Sequence, residues 1–288
     1  MGMLACAKHP AARDLFLRAD EILGIPLTRI VREGPGEDLT RTEYAQPAIF
    51  VTSLAVLAGR RAAGLFEDAS FQAAAGLSLG EYTAHCFAGT FSFEDGLKLV
   101  RARGLAMQDA ATRIPSGMTS LVGADPAAAE RVCARARGAG VLVVANLNAP
   151  GQVVLSGDCE ALARVPEAAT AEGIRRCIPL SVAGAFHSPL MAPARDALEA
   201  ALAATTMHAP RIPIWSNVTA APVQDVTTIR MLLARQVVEP VRWEETMRGL
   251  EAAGCHEAAE PPPGRVLSAL ARKCAPGIAM LALPEEEA

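Results

Sequence analysis

Apolar residues recur every three or four positions over much of the 288-residue chain, the spacing that turns one helix face into a core. After His9-Pro10, the residues Ala11, Leu15, Phe16, Ala19 and Ile22 share a face, and Gly24 closes the run. Residues 31–41 are polar, with two glycines and a proline, and read as a loop. Pro47 then opens an apolar helix over 48–57. The short apolar run 71–76 ends at glycine, which suits a buried strand. Helical spacing returns near Glu81, breaks around 89–93 and continues through 94–111.

The pattern changes between 116 and 182. Residues 118–123 are strand-like. Residues 126–137 are helical, with Pro126 in the first turn and Gly138 and Gly140 beyond the end. Two β-rich runs, 141–145 and 152–156, flank turn chemistry at 146–151. Residues 159–171 are helical, and 174–182 form a last strand. The order β-α-β-β-α-β is that of the ferredoxin-like split unit. It predicts a small subdomain at 116–182, inserted into a larger α/β subdomain made of 1–115 and 183–288. Beyond it the spacing predicts helices at 189–204, 226–237, 243–253 and 264–274 and a strand at 211–217. Helices alternating with short strands imply a mostly parallel sheet covered on both faces.

Composition excludes several classes. Hydrophobic residues make up 51% and charged residues 20%, which excludes a disordered chain. The net charge of −4 and the 4% aromatic content argue against binding of nucleic acid. No apolar run reaches the roughly 18–20 residues of a membrane span. The best one, 48–59, is interrupted by Thr52 and Ser53 and followed by Arg60 and Arg61. The start lacks a secretory pattern, and the apolar stretch before Leu4-Ala5-Cys6 is too short for a lipoprotein signal. Seven cysteines, an odd number with no C-x-x-C pair, point to reduced thiols and a cytoplasmic chain rather than to disulfides or zinc.

The sharpest chemical signal is Gly76-Leu77-Ser78-Leu79-Gly80, the G-x-S-x-G of a nucleophile elbow. A strand ends, the chain turns tightly and a helix begins, so a Cβ at either glycine is expected to crowd the turn. The serine hydroxyl then stands at a helix N-terminus, where free N–H groups stabilise a negative oxygen. Such a serine needs a base. Of His9, His85, His187, His208 and His256, His85 lies on the helix after the elbow and points away. His187 sits in a loop after the inserted unit and before a helix, where a base can reach Ser78.

With Ser78 and His187 in hand, the chain resembles the malonyl-CoA:acyl-carrier-protein transacylases and the related acyltransferase domains of polyketide synthases. The likeness runs from about residue 8 to about 275. It rests on Gln46-Pro47-Ala48, on 76–82 with Ala88-Gly89, on 100–104 with Met107-Gln108, and on 146–152 with Ser156-Gly157. Gly184-Ala185-Phe186-His187, 214–218 and 236–243 complete it. The resemblance implies an α/β fold, with an α/β-hydrolase-like large subdomain built on a parallel sheet and a ferredoxin-like small one. It implies Ser78 as nucleophile and His187 as general base. Gln236 orients that histidine through its main-chain oxygen, and the N–H of Leu79 is an oxyanion donor. Arg103 clamps the malonyl carboxylate, which suits a planar two-toothed donor. Met107, Asn148, Gln152 and Phe186 line the acyl pocket, and Phe186 leaves little room for an α-methyl. The implied partners are malonyl-CoA and acyl carrier protein, with no cofactor or metal, no nucleic acid and no membrane, and a monomer is expected. Arg131, Arg135, Arg137, Arg175 and Arg176 are candidates for receiving an acidic carrier protein.

Three departures accompany the likeness. The family begins with a strand and a Gly-Gln-Gly-Ser-Gln segment whose Gln is the second oxyanion donor, whereas the sequence here opens at Met1-Gly2-Met3. On that basis a lost strand and an impaired site are expected, at about 10²–10³ in rate per donor. A transit peptide upstream would make the location organellar. Leu77 replaces the usual His, and Glu260-Pro261-Pro262-Pro263-Gly264 replaces a Gly-Pro-Gly. Two alternatives stand beside malonyl transfer: a truncated paralogue that only binds carrier protein, and a serine hydrolase. The hydrolase order of Ser, Asp/Glu and a late His fits His187 poorly, because about a hundred residues follow it.

Overall fold

The computed structural model describes residues 9–65 and 67–283. Helix α1 (Pro10–Leu23) begins at the expected proline, with His9 Nδ1 accepting the Ala11 N–H, and ends at Gly24. A short helix, α2 (Leu27–Glu33), stands where part of a loop was expected. Leu27, Ile30 and Val31 bury one face of it, and the Asp20 carboxylate accepts the Thr28 N–H (2.8 Å). Tertiary burial makes this helix; seven residues are too few for periodicity to reveal it.

Helix α3 (Thr42–Ala62) starts well before Pro47 rather than at it. Pro47 lacks the N–H that would bond the Glu43 carbonyl. Arg101 Nη1 fills that vacancy, donating to the Glu43 carbonyl at 2.5 Å. The two-residue strand β1 (Ala74–Ala75) leads into α4 (Leu79–Phe87), and α5 (Phe93–Arg113) follows, N-capped by Ser92. A Cβ at Gly104 would stand 2.7 Å from the Thr42 carbonyl oxygen, so this glycine lets α5 cross α3 closely.

Next come β2 (Ser116–Val122), α6 (Pro126–Ala136), β3 (Leu142–Ala149), β4 (Gln152–Asp158), α7 (Cys159–Ala171) and β5 (Arg176–Pro179). Their sheet has the order β3-β4-β2-β5, and every pairing in it is antiparallel. The βαββαβ connectivity makes it ferredoxin-like. β3 runs on through the segment expected to be a turn. Its outer edge is held there: Leu147 N–H donates to the Val241 carbonyl and Val241 N–H to the Ala145 carbonyl, both at 2.9 Å. Only Pro150-Gly151 is left to turn.

After a 3-10 turn at Pro189–Met191, the remaining elements are α8 (Ala192–Ala204), β6 (Ile214–Trp215), β7 (Pro222–Val223), α9 (Val226–Arg235), α10 (Trp243–Ala252), β8 (Glu257–Ala259), α11 (Val266–Cys274) and β9 (Ala279–Leu281). β1 pairs parallel to β6, and β8 parallel to β9; β7 is antiparallel to β6. The expected strands at 71–76 and 211–217 thus shrink to two paired residues each. Gly76 turns away into the elbow, and Pro213 offers only its carbonyl, which accepts the Ala74 N–H (3.1 Å). Strands β7, β8 and β9 were not expected from the pattern. The start at Met1-Gly2-Met3 and the Leu4-Ala5-Cys6 segment lie outside the described residues.

One core joins α1, α3, α4, α5, α8 and α9 through residues such as Phe16, Phe50, Tyr82, Leu97, Leu198 and Leu233. A second lies between the antiparallel sheet and α6 and α7, around Leu121, Val132, Leu155 and Val165. The seam between β3 and Val241 brings the ferredoxin-like unit against the segment that follows α9.

Candidate active site

The elbow forms because the chain must pass from β1 into α4 within three residues. Ser78 takes φ 52°, ψ −105°, a conformation an L-residue adopts only under constraint. A Cβ at Gly76 would lie 2.0 Å from the Gly80 carbonyl carbon, so glycine is obligatory there. Gly80, expected to be needed for the same reason, has open space where a Cβ would stand. Asn217 ties the turn from across the sheet: its Oδ1 accepts the Ser78 N–H (2.6 Å) and its Nδ2 donates to the Gly76 carbonyl (2.7 Å). Ser78 is the N-cap of α4, yet its hydroxyl makes no capping bond.

That hydroxyl meets His187 instead, with Oγ 2.8 Å from Nε2. His187 also has positive φ, 57°, at the turn after Gly184-Ala185-Phe186. Its Nδ1 lies 2.7 Å from the main-chain oxygen of Gln236, the residue that caps α9. A carbonyl only accepts, so Nδ1 carries the proton and the Nε2 lone pair faces the serine. This tautomer can take the Ser78 proton with no third acidic residue. Burial, helped by the Arg103 charge, pushes the His187 pKa down to about 4, so the ring is neutral at neutral pH.

Arg103 reaches the same point from α5 and is almost fully buried. Its Nη2 donates to Ser78 Oγ (3.0 Å) and to Gln236 Oε1 (2.9 Å), and its Nη1 donates to Gln46 Oε1 (2.7 Å). The guanidinium lies over the Tyr82 ring, 5.3 Å from its centroid. Its Nε is buried with no hydrogen-bond partner among the described residues. An anion arriving here would find an unspent donor and a positive charge beside a nucleophile.

The structure brings together Ser78, His187, Arg103 and Gln236, with Leu79 as the first residue of α4, whose N–H has no carbonyl one turn back to bond. Met107 is one turn beyond Arg103, and its sulfur accepts from Gln46 Nε2 (3.4 Å). Phe186 precedes His187 and is half-buried against Met118, Ala145 and Val154. Asn148 and Gln152 stand on β3 and β4 beside the hairpin turn. Among the described residues, no hydrogen bond joins the side chain of either to Ser78, His187 or Arg103. His85 is buried and paired with Thr90 (3.0 Å), as its expected turn away from the elbow requires. Leu77 packs partly buried in the core under α10 and α11, and the Glu260 carboxylate accepts N–H bonds from Leu267 and Ser268 in the first turn of α11.

No local signal in the sequence marks Gln46, Glu81 or Asn217 as part of the site. All three fell within recognised segments, but their partners lie up to 155 residues away, as in the bond from Gln236 to Glu81. A cleft of about 330 Å³ runs up to His187 between Arg137 and Val144 on one side and Val238 and Pro240 on the other. A larger groove of about 510 Å³ lies along α1 and α3, and no site residue lines it.

The acyl transferase domain family matches residues 1–275. The malonyl CoA-acyl carrier protein transacylase of Bacillus subtilis is 38% identical over 288 residues, covering all of this chain and 90% of that protein. Among solved structures, the acyl-carrier-protein S-malonyltransferase of Bartonella henselae superposes with a TM-score of 0.92 at 38% identity, covering 98% of this chain and 90% of that one. A malonyl transacylase solved with the holo acyl carrier protein of a type II polyketide system has a TM-score of 0.92 at 34% identity, covering 99% and 92%.

Proposed function

The chain belongs to the acyl transferase domain family, and we propose that it moves a malonyl group from coenzyme A to the phosphopantetheine thiol of acyl carrier protein. That transfer serves fatty-acid or polyketide synthesis. The observation that carries this reading is the meeting of the Ser78 hydroxyl, the His187 imidazole and the Arg103 guanidinium at one point. A hydrolase or a non-catalytic binder is not favoured, since the likeness to malonyl transacylases runs the length of the chain.

In this reading the malonyl carboxylate engages the spare donors of Arg103. His187 Nε2 takes the Ser78 proton as Oγ attacks the thioester carbonyl. The oxyanion faces the Leu79 N–H at the start of α4. The C–S bond breaks, the imidazolium returns its proton to the sulfur, and coenzyme A leaves a malonyl ester on Ser78. The carrier thiol then gives its proton to His187 and attacks that ester. The bond between Ser78 Oγ and the malonyl carbonyl carbon breaks, and the imidazolium returns the proton to Oγ, which leaves malonyl on the carrier sulfur and the serine restored. The exchange is redox-neutral and draws only on the chain's own acid-base groups, so it needs no resident cofactor or metal. Met107, Asn148, Gln152 and Phe186 would line the acyl pocket. Residues 1–115 with 183–288 would form the large subdomain and 116–182 the small one. We place the chain in a cytoplasm, a reducing compartment where its free thiols persist.

Intact-mass measurement after mixing with malonyl-CoA tests the reading. A single malonyl adduct, absent from Ser78→Ala, is expected; an adduct that survives Ser78→Ala overturns it.

A further inference from the structure

Glu81 lies in the first turn of α4, buried beside the site, and no step of the transfer uses it. Its Oε2 accepts from Gln236 Nε2 (2.6 Å) and from the Asn217 main-chain N–H (3.2 Å). Both neighbours hold reacting groups. Gln236 Nε2 also donates to the Ser78 carbonyl (2.9 Å), and Gln236 Oε1 accepts from Arg103 (2.9 Å). The Asn217 side chain pins the elbow.

A primary amide has one donor end and one acceptor end. The Glu81 carboxylate and the Ser78 carbonyl are two acceptors side by side, so they select the donor end and leave the oxygen for Arg103. Turned end for end, the amide would set its NH₂ against the guanidinium and release it. We propose that Glu81 is a positioning residue: its carboxylate fixes the Gln236 amide with oxygen towards Arg103 and so sets where the guanidinium stands relative to Ser78. The proposal rests on the acyl-transfer reading of Ser78, His187 and Arg103.

The ionised form does this best, because a protonated carboxyl can also donate and so tolerates the turned amide. The charged or titratable groups that face Glu81 are Arg103, whose charge favours the carboxylate, and Tyr82, whose phenol burial keeps protonated; Gln236, Asn217 and Ser216 are uncharged. Burial opposes ionisation and raises the Glu81 pKa to about 7. The Arg103 clamp therefore tightens as pH rises through that value, while His187 is already neutral.

The test is the rate of Ser78 loading by malonyl-CoA and by acetyl-CoA, measured on the full chain at about pH 6 and about pH 8.5, either side of the Glu81 transition. In the wild type the malonyl-to-acetyl ratio should rise about tenfold, the effect of gaining one hydrogen bond to a charged group. Glu81→Gln, uncharged and of the same size, should hold the low-pH ratio at both values. A purely structural role would lower both loadings alike and leave the ratio unmoved. A wild-type ratio flat with pH, or a variant that keeps the wild-type rise, overturns the role of Glu81. Should the variant not fold, the wild-type profile decides alone. A wild type that loads neither substrate overturns the acyl-transfer reading and this proposal with it, whereas loading with an unmoved ratio overturns only the latter.

Discussion

Arg103→Ala is the most informative single change, because the guanidinium has three separable effects. In the resting site it donates to Ser78, Gln236 and Gln46, and its buried Nε is unspent. A malonyl carboxylate held by two charge-assisted bonds would gain about 1.5–3 kcal/mol from each. Their loss should lower kcat/KM for malonyl-CoA by about 10²–10⁴. Acetyl-CoA has no carboxylate and should lose far less, so the malonyl preference collapses. The second effect is on His187, whose pKa the Arg103 charge helps depress to about 4. Without that charge the imidazole moves back towards its ordinary value, and the acid limb of the pH–rate profile moves to higher pH. The third is structural: the Gln46 and Gln236 side-chain oxygens lose their Arg103 donor, at about 1–3 kcal/mol each, partly offset by removal of a buried charge. Paired malonyl and acetyl loading assays with a thermal melt separate the three. An unchanged malonyl-to-acetyl ratio in a folded variant would refute the clamp.

Other substitutions probe the scaffold of the site. Ser78→Gly should abolish the adduct yet raise stability by about 1 kcal/mol or more, since glycine accepts φ 52° without strain; denaturant melts check it. Gly76→Ala must push a methyl into the Gly80 backbone, so loss of activity and a destabilisation of about 2–4 kcal/mol are expected in the same melts. Wild-type kcat/KM for acetyl-CoA, which has no carboxylate for the Arg103 clamp to hold, should show no limb down to about pH 4 and fall below it, because the base must be neutral and burial holds its pKa there; a limb near pH 6.5 with that substrate would contradict the burial. On the face expected to receive carrier protein, Arg131 and Arg135 both pair with Glu172, at 2.6 and 2.8 Å. Arg137→Glu, at the rim of the cleft that reaches His187, should therefore weaken carrier-protein affinity more than Arg131→Glu does. Calorimetric titration with carrier protein would show equal effects if that face is wrong.

Much of this molecule can be read locally. The period of apolar residues determined α1, α5, α6 and α7, because a helix face buried in a core leaves its mark every three or four positions. The βαββαβ order followed from strand and helix runs with glycine and proline between them, and its sheet closes in the sequence that order implies. Of the chemistry, the serine between two glycines was plain and a loop histidine stood as its candidate base, whereas the role of Arg103 came from the resemblance to acyltransferases and not from its place on a helix.

Other features depend on partners far away in the chain. α2 is a helix because Leu27, Ile30 and Val31 meet a core. α3 runs through Pro47 because Arg101, 58 residues from Glu43, takes the carbonyl that the proline abandons. β3 stays extended past its expected turn because Val241 lines its edge. The same holds at the centre. Nothing in the spacing of Gln46, Glu81 or Asn217 says that they will orient a guanidinium, an amide and an elbow. Hydrogen bonds inside a core go to whatever donor or acceptor packing delivers, and a buried polar group left alone is costly enough that the fold must find it one. Periodicity records which side of an element faces inward; only the tertiary structure decides what it meets there.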